Sequence, residues 1–414
     1  MTTFIVAVFL VVYLGMILGG LPFLQLDRTG VALLGAIALL SVNALTLDQA
    51  ADAVHLPTLI LFFSFMVLSA QMRLGGFYDW VTSRLAGLPL PPATLLAALI
   101  VLAALLSAVF SNDIVCLAVA PVLISACVRR QLDPVPYLLA LACAANIGSA
   151  ATLIGNPQNI LIGQTLRLSF AGYLAEAAIP VVLGLAATWA LIAWQTRGRW
   201  HAVAPAAGAL ASAQPGPEVP FDDWQTTKGL AIAAILLIAF LFAPWPREHV
   251  ALTAVGVLLM SRKLHSNQML GLVDWELLIL FIGLFVVNHA LQQTGVVGKV
   301  AADLAAAGID LNRLGPLFLI TFALSNIVSN VPAVMLLLPF ANSPLSGPLL
   351  ALVSTLAGNL LIVGSVANII VIGSAARRGV HIDWRRHARV GVPVTLLTLA
   401  ICAAYLWLRG QLAG

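Results

Sequence analysis

Charge is scarce in this sequence. Only 20 Lys and Arg and 16 Asp and Glu are spread over 414 residues, 9% of the chain, where an ordinary soluble domain carries roughly 25%. A soluble fold of this length needs a charged skin, and so few ionised side chains cannot make one. That excludes a soluble enzyme, a nucleic-acid binder and a disordered chain. Cysteine is sparse as well. Cys116, Cys127, Cys143 and Cys402 lie in or beside apolar stretches without Cys-x-x-Cys spacing, so neither a zinc site nor a disulfide framework is indicated. A targeting peptide is also missing. The apolar run 4–24 has no basic segment before it and no small-residue cleavage pattern after it. It is long for the core of a signal and is expected to remain as a span.

What is present is apolar. Hydrophobic residues make up 61% of the chain, and the mean hydropathy is +1.03. The expected fold is an all-α integral membrane protein with many spans, each needing about 20 apolar residues. Spans are predicted near 3–21, 30–45, 56–73, 136–163 and 174–194, then near 229–243, 248–261, 275–292, 346–373 and 391–408. Two further apolar stretches are broken: 93–128 at Ser111-Asn112-Asp113, and 312–341 at Ser329-Asn330. Between the two sets lies 197–228, rich in Ala, Pro and Gly, which reads as a polar linker.

The two halves match. Gly76 in MRLGGFYDWV aligns with Gly295 in LQQTGVVGKV. Ser111, Asn112 and Pro121 in SNDIVCLAVAP align with Ser329, Asn330 and Pro339 in SNVPAVMLLLP. Gly155 and Asn159 in IGNPQNILIG align with Gly364 and Asn368 in VGSVANIIVIG, and Pro180 aligns with Pro393. The order is kept and the offset drifts slowly, from 219 to 209 and 213. The expected organisation is a first repeat over 1–196, the linker 197–228, and a second repeat over 229–414. Each repeat holds five full spans plus one broken stretch, read as a re-entrant hairpin. Five is odd, so the repeats are expected in opposite orientation, with the broken helices meeting near the midplane. On this layout one side collects 15 Lys and Arg and the other collects 5. The basic side is expected to be cytoplasmic, which puts both termini outside and the linker in the cytoplasm.

Backbone freed by a broken helix survives at membrane depth only inside protein or beside water, so the breaks are where a site is expected. Half-helix N-termini suit anions, and unwound carbonyls suit cations. The candidate binding residues are Ser111, Asn112 and Asp113 at the first tip and Ser329 and Asn330 at the second. Asn156, Gln158 and Asn159 join them from the first broken span, and Gly364, Ser365 and Asn368 from the second. Pro157 removes a donor, and Gly155 and Gly364 permit unusual backbone angles. Asp113 is the one acid placed deep in a bilayer segment. A buried membrane carboxylate is costly, so it reads either as an ion- or proton-coupling group or as the cap of the helix that follows. The amides read as ligand contacts or as packing amides. Ser149, Thr152, Ser325 and Asn326 read as interhelical glue, Asn288 and His289 as unremarkable residues near a span end, and Trp384 with its arginines as an interfacial anchor.

With these motifs the chain resembles the ion transporter superfamily. SNDIVCLAVAP, NIGSAATLIGNPQN and LAGNLLIVGSVAN are similar to the arsenite permease and sodium/proton antiporter branch. The resemblance implies an alternating-access carrier of elevator or related type, often a homodimer, with substrate held between hairpin tips and broken spans. In the dicarboxylate branch a Ser-Asn-Thr motif occupies both tips. Here Asp113 and Val331 replace the threonines. An acid at the first tip is more similar to the arsenite permease pattern, in which protons drive efflux.

The expectation is therefore a proton-coupled efflux permease in a bacterial-type inner membrane. Its cargo would be an arsenite- or antimonite-type metalloid or a small inorganic anion. Arsenite near neutral pH is uncharged As(OH)3, which amides and hydroxyls can hold, and no Lys or Arg is placed at depth. The alternatives are a sodium-coupled carboxylate or anion symporter and a sodium/proton antiporter. A channel ranks below these because paired repeats suit alternating access. An intramembrane enzyme would need a catalytic pair at depth, and none is found. No cofactor, catalytic residue or metal ligand is expected beyond the coupling ion, H+ or alternatively Na+.

Overall fold

The computed structural model describes residues 1–21, 24–201 and 219–413, with side chains described as far as 410. Most of the predicted linker, 202–218, lies outside the described residues. The first half contains α1 (Thr2–Leu18), α2 (Arg28–Ser41), α3 (Leu47–Ala53), α4 (Leu56–Leu74) and α5 (Phe77–Gly87). It continues with α6 (Pro92–Val109), α7 (Asn112–Arg129), α8 (Pro134–Ser149), α9 (Pro157–Thr165) and α10 (Phe170–Thr196). The second half opens with α11 (Asp223–Phe242), α12 (Arg247–Leu259), α13 (Ser266–Leu270), α14 (Trp275–Gln293) and α15 (Val296–Ala306). It closes with α16 (Leu314–Val328), α17 (Asn330–Leu337), α18 (Ser346–Ala357), α19 (Val366–Ala376) and α20 (Trp384–Ala413). Seven of these helices are long and apolar enough to cross a membrane, and the chain is a multi-pass membrane protein.

The starts of these helices are written locally. Asp27 accepts from Gly30 N at 2.7 Å to open α2, and Asp133 accepts from Val135 N at 3.0 Å to open α8. Asp222 and Asp274 do the same for α11 and α14, at 3.0 and 2.9 Å. Each satisfies a main-chain donor that has no partner in a first helical turn. Proline at the first or second position of α4, α6, α8 and α9 fits the same rule, since its missing N–H would have been unpaired there.

The order of elements in the second half repeats that of the first, long and short helices included. The sequence matches fall on equivalent places. Gly76 and Gly295 are the left-handed residues that open α5 and α15, at φ 70° and 74°. Pro180 and Pro393 sit inside α10 and α20. Packing is reciprocal too: α2 lies on α14 as α12 lies on α4, α6 lies on α8 as α16 lies on α18, and α10 packs on α20. Where the start of α10 meets the end of α20, that last contact carries an ion pair. Arg409 bonds both oxygens of Glu176, with Nε to Oε2 at 3.1 Å, and Tyr405 donates to Oε2 at 2.9 Å. Glu176 is thus a tie between the halves.

The spans 136–163 and 346–373, read from the sequence as interrupted, are each two helices with a gap, 150–156 and 358–365, the second gap holding a short 3-10 turn at Ile362–Gly364. The short helices α5 and α15 were not anticipated, being too short to span. The aromatic-basic segment at Trp384, read as an interfacial anchor, forms the head of α20, which is 30 residues long.

Candidate functional site

The two gaps are held open by their own asparagines. Asn159, one turn into α9, donates from Nδ2 to Thr152 O at 2.9 Å. Tyr173 donates its hydroxyl to Ala150 O at 2.6 Å, and Thr152 donates to Ala108 O at 2.5 Å. Asn368, at the equivalent place in α19, donates from Nδ2 to Gly358 O at 2.8 Å and to Leu361 O at 3.0 Å. Carbonyls freed by the breaks are thereby paired away from water. The capping residues are Asn156, which accepts from Asn159 N at 2.9 Å, and Ser365, which accepts from Ala367 N at 3.2 Å.

The glycines serve a purpose other than the one expected. Neither Gly155 nor Gly364 has a positive φ. A β-carbon on Gly155 would stand 2.4 Å from Ser149 O and 2.7 Å from Ser107 O, and one on Gly364 would stand 3.1 Å from Gly358 O. Close approach of main chains, not unusual angles, excludes a side chain at Gly155 and crowds one at Gly364.

Each break is then reached from the opposite half. Asn146, on α8, donates from Nδ2 to Asn359 Oδ1 at 2.8 Å and to Asn368 Oδ1 at 3.4 Å. Its Oδ1 accepts from Ser365 Oγ at 2.9 Å and from Asn112 Nδ2 at 3.0 Å, which brings in the first tip. Thr355, on α18, does the converse. Its Oγ1 accepts from Asn156 Nδ2 at 3.2 Å and Gln158 Nε2 at 3.1 Å, and approaches Asn159 Oδ1 at 3.4 Å. Ser149 joins the two sets, donating to Asn146 O at 2.8 Å and accepting from Asn156 Nδ2 at 2.9 Å. The offset that pairs Asn159 with Asn368 also pairs Asn146 with Thr355. These two hubs were missed in the sequence, and that offset was the signal that would have found them.

The tips are less alike than their sequences. Ser111 opens α7 with ordinary extended angles, φ −53° and ψ 131°, and makes no side-chain capping bond. Ser329 opens α17 at φ 78° and ψ 160°, a conformation that essentially only glycine adopts freely. Asn330 lies beside the second break: its Nδ2 is 3.3 Å from where a β-carbon on Gly358 would sit. Asp113 is half-buried at the second position of α7, not at its cap, and pairs with no cation among the described residues. Among the predicted residues, Asn112, Asn156, Gln158, Asn159, Ser365 and Asn368 therefore join one network. Ser111, Asp113 and Ser329 border it without a side-chain bond to it.

Several buried polar atoms at the tips and breaks have no protein partner. They include the side-chain oxygens of Asn112, Asn326 and Asn330, the hydroxyls of Ser107 and Ser325, and Asn359 Nδ2. Such atoms cost roughly 1–3 kcal/mol each when nothing bonds them, and they can take a hydrogen bond from water or from a bound molecule. Two residues assigned to packing stay so. Asn288 accepts from Tyr13 at 2.9 Å, joining α14 to α1, and His289 pairs with Gln293 on its own helix. Behind the site, His387 on α20 is buried, with Nε2 3.2 Å from Asn359 O and no partner at Nδ1.

Broken helices in matched pairs, joined by a buried amide network inside a multi-pass bundle, define a membrane transporter of the discontinuous-helix kind. The model of the citrate transporter family matches residues 8–357, and the chain belongs to that family, within the ion transporter superfamily. It is 30% identical over 420 residues to the uncharacterized transporter Rv2684 of Mycobacterium tuberculosis, covering 93% of this chain and 94% of that one. It is also 27% identical to the silicon efflux transporter LSI3 of rice, over 92% of each chain. In fold it matches the YdaH transporter of Alcanivorax borkumensis with a TM-score of 0.57 and 14% identity, over 99% of this chain and 98% of that one. The protein is a transporter and not an enzyme.

Proposed function

We propose that this transporter exports a small, uncharged, hydroxylated metalloid of the arsenite or antimonite type in exchange for protons. The observation that carries this reading is the set of buried amide oxygens on Asn112, Asn326 and Asn330 that lack a donor. An undissociated hydroxide such as As(OH)3 brings O–H donors and no charge, which is what such oxygens accept. The network itself contains no Lys or Arg, so it offers a strongly anionic cargo no counter-charge. A relative named for silicon efflux supports the same chemical class, since silicic acid is also a neutral hydroxide. Asp113, half-buried beside the first tip and without a cation partner among the described residues, is the group we assign to proton exchange.

The repeated element order and the reciprocal packing support two matched repeats; with the bias of Lys and Arg to one side, we read them as inverted, with both termini outside, the linker cytoplasmic and the chain in a bacterial inner membrane.

A second reading, sodium-coupled carboxylate symport, is favoured by the family's description and by the same amide oxygens, because such oxygens also ligate sodium. The deciding experiment uses proteoliposomes offered arsenite, antimonite, silicic acid, citrate and succinate, each with and without pH and sodium gradients. Metalloid flux that follows the pH gradient is expected. Citrate or succinate uptake that requires sodium, with no metalloid flux, would overturn the proposal in favour of the second reading.

A further inference from the structure

Away from the broken spans, the start of α8, the end of α10 and the start of α20 enclose an open cleft of about 470 Å³. Its rim carries Arg199, Arg386 and Arg389, and its floor is apolar, formed by Leu139, Ile192 and Val390. Among the described residues none of the three arginines lies within 4 Å of a carboxylate. The one acid in the lining, Asp133, gives an oxygen to Val135 N, 3.0 Å away, as the cap of α8.

Two of the guanidinium groups are held in place, and the third arginine is tied through its main chain. Arg199 donates from Nη2 to Gln195 O at 2.6 Å, and Arg386 donates from Nη1 to His381 O at 3.1 Å. Gln195 in turn donates from Nε2 to Arg389 O at 2.9 Å, tying the end of α10 to the head of α20. Each of these bonds uses one N–H of a guanidinium or none, and a guanidinium has five. Several donors therefore face the cleft, geometrically suited to a phosphate.

The surroundings choose between possible phosphates. Trp194, next to Gln195 in α10, and Trp384, two residues before Arg386 in α20, are 72% and 67% exposed, as aromatic side chains are at a bilayer interface. A wet, cationic rim over an apolar floor at that depth matches an amphiphile, whose headgroup and first methylenes need both. The end of the molecule concerned carries most of the Lys and Arg of the loops, so it faces the leaflet richest in anionic lipid. We infer that this cleft is a specific binding site for the phosphate headgroup of an anionic phospholipid. It involves none of the residues assigned to the transported cargo, so it stands or falls separately from the function proposed above.

The test uses the full-length protein in a mild non-ionic detergent. Native mass spectrometry counts bound lipid, and thermal unfolding is followed with added phosphatidylglycerol, cardiolipin, phosphatidylcholine or inorganic phosphate. The wild type is expected to retain an anionic lipid and to gain a few degrees in unfolding temperature with phosphatidylglycerol or cardiolipin but not with phosphatidylcholine. Arg386→Gln/Arg389→Gln is expected to weaken that binding roughly tenfold or more. Arg262→Gln, which removes an exposed charge elsewhere, should leave it intact. Equal stabilisation by phosphatidylcholine, or full retention of anionic lipid by the double variant, would overturn the assignment. Stabilisation by millimolar inorganic phosphate to the same extent would replace the lipid with a soluble anion.

Discussion

An amide side chain presents an acceptor on one side and donors on the other, and Asn146 uses both to hold the opposite half of the molecule. Replacing it with alanine strands Asn112 Nδ2 and Asn359 Oδ1 in a buried place and leaves Ser365 Oγ only its cap bond from Ala367 N, at roughly 1–3 kcal/mol per stranded group. Asn146→Ala should therefore lose both stability and transport, read as thermal unfolding in detergent and flux into proteoliposomes. Asn112→Ala removes one bond and leaves Asn146 Oδ1 its Ser365 partner. It should cut transport at least about tenfold while lowering stability by only about 1 kcal/mol, because the oxygen it deletes has no partner to lose. Equal stability losses in the two variants would mean that the tip amide serves packing alone. Asp113→Asn mimics the protonated acid, so flux should become indifferent to the pH gradient while exchange persists. A full pH-gradient response in that variant would remove Asp113 from coupling. Asn112, Asn159 and Asn368 were legible in the sequence because each recurs with its counterpart at a steady offset. Asn146 and Thr355 were not, since a hub that is an amide in one half and a hydroxyl in the other leaves no identity to align. The shared offset places them opposite one another, and the three-dimensional swap of partners shows that they do the same work.

Short elements show how the same local geometry acquires a different cost from its neighbours. Gly76 and Gly295 open α5 and α15 with nearly the same φ, 70° and 74°. A β-carbon at Gly295 meets nothing within 4 Å, whereas one at Gly76 would stand 2.7 Å from Val219 O and 2.8 Å from Pro220 O. Gly295→Ala should cost roughly 1–2 kcal/mol, the left-handed penalty alone. Gly76→Ala should cost clearly more and loosen the entry to α11, whose Asp222 N donates to Gly75 O at 3.0 Å. Comparing the two unfolding temperatures checks this, and equal losses would refute it. The break at Ser329 offers a test of opposite sign. Glycine there relieves the strain of φ 78°, so Ser329→Gly should stabilise the protein by about 1 kcal/mol, a rise of roughly 1–2 °C. Element order, the two tips and the interrupted spans were readable from hydropathy and from polar punctuation. The paired helices α5 and α15 were not, because eleven residues carry too little apolar length to register as a span. The closeness of Gly155 to Ser149 O is likewise a contact, and a contact has no signature in a single chain.

At the scale of the whole chain, the proposed inverted arrangement predicts that the linker and the C-terminus face opposite sides. In a background lacking the four native cysteines, all of them buried, single cysteines at Ser212 and Gly414 should react with an impermeant thiol reagent from opposite sides of the membrane. Labelling of both from one side would rule out inversion. The crossed network makes a further demand on movement. A stroke that slid α8 and α9 past α18 and α19 would break the bonds of Asn146 and Thr355 together, at about 1 kcal/mol or more for each. Distances between spin labels on α9 and α19 should accordingly hold constant between substrate-free and substrate-loaded vesicles, and a change of several ångströms would contradict this. The two interrupted helices are stitched into one carriage, each half supplying the rivet for the other. A turn of the site from one face of the membrane to the other that keeps these bonds moves that carriage whole along its frame and does not pry it open like a pair of jaws.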